Sequence, residues 1–304
     1  MRITTVGIVA AALASSLWSS GTGAAAAAAA PDVSAWNRPA EPFRVVGPIH
    51  FVGTSELAAF LITTPAGHVL VDGGLPESAP LIEASIRALG FDPRDIRVLL
   101  TTQAHFDHVG SLAYFKRLSG GRVEVMDGDA AIVESGGSAD YLFGAAGPRY
   151  RFDRVKVDRT LHDGDTVALG GVTLTARRTP GHTPGSTTWL TTVRDGARSY
   201  RVVFAGSTTV NAGTRLVAAP SYPGIAGDFA HSFEVLESVT PDVFLAAHTG
   251  FFDMEAKRAR LGRPGSENPF VDPAGYRAHV AAKKRDFDDE IARQRAEGAP
   301  SPSP

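Results

Sequence analysis

An α/β fold is what this sequence predicts beyond residue 30, its order of elements being compatible with two sheets packed face to face and covered by helices. Two observations carry it. Strand-like runs give way to helical ones in two successive rounds. And the runs Ile96–Leu100, Val172–Arg178 and Val243–Ala247 each lead, within a few residues, to a histidine. Polar groups delivered at separate strand ends are the mark of a site built on a rigid scaffold.

Residues 1–30 differ from the rest. Arg2 precedes the apolar stretch Val6–Leu17, followed by the small residues Ala24–Ala30 and then Pro31. A charged start, an apolar centre and Ala-x-Ala frames make a secretory signal peptide, and the apolar run is short for a membrane span. One domain is expected over 31–304, exported to the periplasm or the medium, with residues 31–44 as a surface arm. Strands are expected at Phe43–Val46, His50–Gly53, Ala58–Thr63 and His68–Asp72. A helix follows at Ala79–Leu89, with Ile82, Ile86 and Leu89 on one face and Gly90 as the stop. After the buried strand Ile96–Thr101, Leu112, Phe115 and Leu118 face the core from a helix ended by Gly120, and Arg122–Met126 is a strand. In the second round, turn signals flank strands at Thr166–Leu169 and Val172–Arg178. Asp195-Gly196 marks a hairpin between Thr187–Val193 and Tyr200–Ala205. Helices are expected at Asp228–Val239 and Pro273–Arg295.

Composition narrows the function. A net charge of −2, with Lys283-Lys284-Arg285 followed at once by Asp286, Asp288, Asp289 and Glu290, offers no basic face for nucleic acid or an anionic membrane. The absence of cysteine excludes a lipoprotein anchor and disulfides, and leaves only nitrogen and oxygen donors for a metal.

Those donors cluster in Gln103-Ala104-His105-Phe106-Asp107-His108. In extended chain, residues two apart share a side, so Gln103 and His105 can face one ion. If a helix starts there, Asp107 and His108 swing round to face a second. His182, in Pro180-Gly181-His182-Thr183-Pro184-Gly185-Ser186, and His248 are the natural partners from elsewhere. The histidines at 50, 68, 162, 231 and 279 lack ligand spacing.

With these motifs in this order, and with Leu70-Val71-Asp72-Gly73-Gly74 and Phe204-Ala205-Gly206-Ser207, the chain resembles the metallo-β-lactamase superfamily. Within it, the chain is similar to the third subclass of class B β-lactamases, from about residue 45 to the last helix. The resemblance implies a four-layer αββα sandwich and a centre for one or two Zn2+ ions. Gln103, His105 and His182 would hold one ion, and Asp107, His108 and His248 the other. Gln103 stands where the family usually has histidine, as in a minority variant of the subclass, and a neutral amide oxygen binds zinc more weakly than imidazole. Asp72 would brace the metal loop, and Ser207 and Thr209 would face the substrate's carboxylate or a metal-bound water. Many thioesterases and lactonases of the superfamily carry a bridging Asp after this strand, where this chain has Gly206-Ser207.

The implied reaction is hydrolysis of a β-lactam amide, a small-molecule substrate, by metal-activated hydroxide that Asp107 orients. No Gly-x-Ser-x-Gly elbow or Ser-x-x-Lys with its partner motifs points to an acyl-enzyme instead. The alternatives are a lactonase or thioesterase on the same fold, or a zinc-binding protein with little catalysis. The loops Gly136–Arg149 and Val210–Gly227 are expected to flank the cleft.

Overall fold

The computed structural model describes residues 33–264 and 267–297, so the signal-peptide reading of 1–30 lies outside the described residues. Seven strands follow one another across the first sheet: β1 (Phe43–Val46), β2 (Ile49–Phe51), β3 (Phe60–Thr64), β4 (Gly67–Val71), β5 (Ile96–Leu100), β6 (Arg122–Met126) and β7 (Arg159–Leu161). Pairing is antiparallel from β1 to β4 and parallel from β4 to β7. The parallel steps need crossovers. α1 (Ala79–Ala88) joins β4 to β5, and α2 (Phe106–Val109) and α3 (Leu112–Ser119) join β5 to β6. α4 (Ala130–Glu134) follows β6.

The first sheet is buried on both faces, and strict alternation assigns the sides. Phe60, Ile62, Val69, Val71, Val98 and Leu100 join the core that faces the second sheet. Their neighbours Leu61, Leu70 and Leu99 join Ile82, Ile86, Leu112 and Phe115 under the helices. A one-residue slip in β4 would exchange the two sets. Gly120 ends α3 in the left-handed conformation at φ 71°, with its N–H donating to Lys116 O.

The second sheet runs β12–β11–β10–β9–β8, from β8 (Thr166–Leu169), β9 (Val172–Arg178), β10 (Thr187–Asp195), β11 (Arg198–Ala205) and β12 (Val243–Ala246). The Asp195-Gly196 signal makes its hairpin, with Asp195 paired to Arg198 and Gly196 at φ 59°. α5 (Ile225–Ser238), then α6 (Met254–Arg258) and α7 (Pro273–Glu297), complete the chain. Phe229 and Phe233 of α5 and Phe287 of α7 join the core between the layers. This is the four-layer αββα arrangement, two mixed sheets flanked by helices.

The expected elements are present with ends shifted by a few residues; β7, α4 and α6 were not anticipated. Residues 33–42 are half-buried or exposed, as a surface arm would be, and the arm is anchored. Val33 and Trp36 pack against the core under the helices, and Trp36 O accepts from Thr54 Oγ1 at 2.8 Å.

Candidate metal centre

Carboxyl ends of strands from both sheets converge on one cleft. β4 leads to Asp72, β5 to Gln103 and His105, β6 to Asp129, β9 to His182, β11 to Ser207 and β12 to His248. The loop after β5 is fixed before it reaches the site. The fully buried Trp189 donates Nε1–H to Thr101 O at 3.0 Å, and Thr187 N–H donates to Thr102 O at 2.7 Å. The chain stays extended at His105 (φ −76°, ψ 152°) and enters α2 at Phe106. That turn carries Asp107 and His108 away from Gln103 and His105.

Asp107, His108 and His248 form a tight trio whose donor atoms all lie within 4.8 Å of one another. His108 Nε2 is 3.2 Å from His248 Nε2 and 3.4 Å from Asp107 Oδ2, and His248 Nε2 is 3.7 Å from that oxygen. Tetrahedral bonds of about 2 Å to zinc separate donors by about 3.3 Å, so the trio fits one ion with little movement. Behind it, Asp72 Oδ2 lies 3.4 Å from His108 Nδ1, which is buried and makes no hydrogen bond. Asp72 also accepts from Thr102 N–H and Thr102 Oγ1, both at 2.7 Å. Its φ of 63° is uncommon for a non-glycine residue; the fixed carboxylate compensates that strain.

His105 and His182 stand with ring centroids 4.6 Å apart. His182 Nδ1–H donates to Thr209 O at 2.6 Å, which leaves Nε2 for the cleft. Gln103 Oε1 accepts from Ser207 N–H at 3.2 Å; an amide oxygen has a second lone pair for another partner. Gly181 sits at φ 128°, and a Cβ there would meet the Phe229 ring at 2.6 Å, so glycine sets the approach of His182. Thr209 reaches this cluster through its carbonyl, while its hydroxyl is buried without a partner.

The charges of the two groups differ. Burial pulls His105 down to about 4 and His182 to about 3, so both are neutral near pH 7, the form a metal requires. Burial likewise lowers His248 to about 4. Burial also disfavours a charged His108, but the carboxylates of Asp107 and Asp72 outweigh it and push this imidazole up to about 10. Burial opposes ionisation of Asp107, yet His108 holds its carboxyl well below the usual range. Without a metal, the proton on His108 is the cation that balances the trio.

Four residues at the site escaped the sequence reading. Asp129, buried and pushed up to about 7 mainly by burial, accepts from Ala104 N–H (2.8 Å), Thr183 Oγ1 (2.7 Å) and Gly185 N–H (2.7 Å), bolting the two ligand loops together. Asp140 lies beside His105, and Tyr141 OH donates to His182 O at 3.1 Å. Trp36 stands edge-on to His248 at 6.2 Å. Asp140 and Tyr141 fall in the Gly136–Arg149 loop expected at the cleft, so their location was legible and their role was not. Asp129 obeys the strand-end rule that found the histidines, had it been applied to carboxylates.

The chain belongs to the metallo-beta-lactamase superfamily, whose family model matches residues 57–248. It is a hydrolase of that fold. Among solved structures it is similar to the FEZ-1 metallo-beta-lactamase of Legionella gormanii, at 42% identity and a TM-score of 0.82, covering 85% of this chain and 98% of that one. It is also similar to BJP-1, a subclass B3 metallo-beta-lactamase of Bradyrhizobium japonicum, at 38% identity and a TM-score of 0.81, covering 86% and 97%. Curated relatives include the N-acyl homoserine lactonase AttM of Agrobacterium fabrum, 28% identical over 43% of this chain and 57% of the relative. Another is a hydroxyacylglutathione hydrolase of Rhodopseudomonas palustris, 32% identical over 57% and 56%. The chain spans about half the length of these curated relatives.

Proposed function

We propose that this chain hydrolyses the amide bond of β-lactam antibiotics with Zn2+, one or two ions per chain. The observation that carries the reading is the reach of the likeness. It runs along 98% of FEZ-1 at 42% identity and 97% of BJP-1 at 38%, while the matched segments of the lactonase and the hydroxyacylglutathione hydrolase are 28% and 32% identical. The end of β11 supports it, since Ser207 puts a hydroxyl where a bridging carboxylate would otherwise stand.

The residues fit the metal. Asp107, His108 and His248 would hold one ion, on donor separations already near those of a tetrahedral site. Gln103, His105 and His182 would hold the other, on neutral donors. Zinc supplies Lewis acidity toward the lactam carbonyl and hydroxide at neutral pH. Asp107, buried at 7% exposure, would accept a hydrogen bond from the attacking hydroxide and hold it toward the carbonyl carbon. Asp72 keeps His108 presenting Nε2, and Thr209 O does the same for His182. Ser207 and the unpartnered hydroxyl of Thr209 bind the substrate's carboxylate, which orients the ring. The leader at 1–30 exports the chain, and no helix among the described residues is long and apolar enough to cross a membrane.

The test is hydrolysis of a penicillin, a cephalosporin and a carbapenem by the purified chain, beside an acyl-homoserine lactone and a glutathione thioester. β-Lactam turnover that a chelator removes and zinc restores is expected. Metal-dependent turnover of the lactone or thioester alone would move the assignment to an esterase of the same fold.

A further inference from the structure

We propose that Asp140 is the positioning residue of the first cluster: its carboxylate takes the Nε2–H of His105, so that Nδ1 is the nitrogen His105 offers to an ion. The inference rests on the two-cluster reading above and names the residue that makes the weaker cluster workable.

His105 Nε2 is buried and makes no hydrogen bond of its own. Asp140 Oδ2 lies 3.3 Å from it, with the two side chains 2% and 3% exposed. A buried imidazole nitrogen facing a buried carboxylate over that distance needs only a small ring rotation to donate to it. The carboxylate is already fixed: Asp140 Oδ1 accepts from Leu142 N–H at 2.7 Å and Phe143 N–H at 2.9 Å. The Phe143 ring closes over His105 edge-on at 4.9 Å and stacks on Tyr150 at 4.7 Å. The neighbouring Tyr141 hydroxyl holds the His182 carbonyl. Residues 140–143 are thus a strap that touches both histidines of the first cluster and neither histidine of the second.

Asp140 could instead be read as a donor to the ion itself. The geometry disfavours that. Among the described residues, Asp107, His108 and His248 gather their donors within 4.8 Å, and His105, His182 and Asp140 do not form such a trio. The closer parallel is Asp72, 3.4 Å from the outer nitrogen of His108. Each cluster then has one carboxylate behind one imidazole, which fixes the tautomer and raises the basicity of the ligand nitrogen. The effect counts for more in the first cluster. Gln103 brings no charge there, so Asp140 supplies the nearest negative charge dedicated to it.

The test uses the full mature chain and zinc. Long-range 1H–15N histidine spectra of the metal-free and zinc-loaded protein report the tautomer of His105 directly. The Nε2–H form, with Nδ1 unprotonated, is expected in both. The Nδ1–H form, with Nε2 free or bound to zinc, overturns the proposal without any variant. Asp140→Asn is then titrated with zinc against a chelating competitor. Weakening of one zinc equivalent by about 10- to 100-fold is expected, with the other equivalent unchanged and Asp140→Glu recovering part of the loss. Unchanged affinity for both equivalents, or equal loss of both, overturns the proposal. The wild-type titration judges the two-cluster reading separately. Uptake of a single equivalent would sink that reading, while the tautomer of metal-free His105 still decides the role of Asp140.

Discussion

The trio Asp107, His108 and His248 and the group Gln103, His105 and His182 share one cleft and are suspended differently. The trio grows out of α2 and the end of β12, is internally ion-paired, and has its donors gathered within 4.8 Å. The other group is neutral, and besides Ser207 and Thr209 after β11 its supports come from the segment after β6: Asp129 beneath both loops, Asp140 behind His105, and Tyr141 on the His182 carbonyl. A preassembled, charged cluster needs little rearrangement to take a divalent ion. A neutral one depends on its supports. Two sites built from adjacent residues of one motif can therefore differ in affinity for reasons that lie outside the motif.

The largest expected effect comes from His108→Ala. It removes the cation that balances two buried carboxylates, and breaking a buried pair on one side costs about 3–5 kcal/mol. Urea unfolding of the metal-free variant at pH 7 should show that loss, together with loss of the tighter zinc equivalent. Full stability would mean that Asp107 and Asp72 are solvated and that the trio is not the balanced cluster described. Gly181→Ala comes next. A Cβ at φ 128° pressed against Phe229 should cost about 1–3 kcal/mol and weaken zinc in the His182 group alone. Equal weakening of both equivalents would show that the two suspensions are not separate.

Gln103→His sharpens the comparison in the other direction. An imidazole should tighten zinc in the weaker cluster and leave the trio unchanged. An unaltered metal content would place residue 103 outside the ligand set, as a hydrogen-bond partner of Ser207 only.

The smallest effect is a control outside both clusters, at a histidine separated from His248 by the Phe251 ring. His279 lies against Phe244 at 5.4 Å and Phe251 at 5.1 Å, and burial lowers it to about 4, with Lys283 lowering it further and Asp286 opposing. Between pH 6.5 and 4 the unfolded chain protonates this imidazole and the folded chain does not, so stability falls as pH falls through that window. One proton corresponds to a slope of at most about 1.4 kcal/mol per pH unit. His279→Gln should flatten the fall measured by urea titrations at pH 6.5 and 4.5. An identical slope would mean that His279 is charged in the folded state.

The contrast between the clusters was only half legible in the sequence. Four donors in six residues announced themselves, and His182 and His248 were found because apolar strands lead to them. Asp72 was reached through the resemblance, and its contacts with Thr102 and His108 give a physical reason for its place. The roles of Asp129 and Asp140 were not read, because a lone Asp in a loop reads as any turn residue until the fold shows what it faces. The strand Arg159–Leu161 was missed because it spans only three residues and alternation has no room to appear. The arm was expected, but its anchorage through Trp36 was not, because those contacts are long-range: Thr54 and Ser55 hold its carbonyl, and His248 meets its ring.

A zinc titration of the metal-free chain, followed through its assigned histidine resonances, tests the inequality of the two clusters most directly. The first equivalent should shift His108 and His248, and the second, at higher free zinc, His105 and His182. A first equivalent that shifts His105 and His182 while His108 and His248 stay unchanged would contradict it.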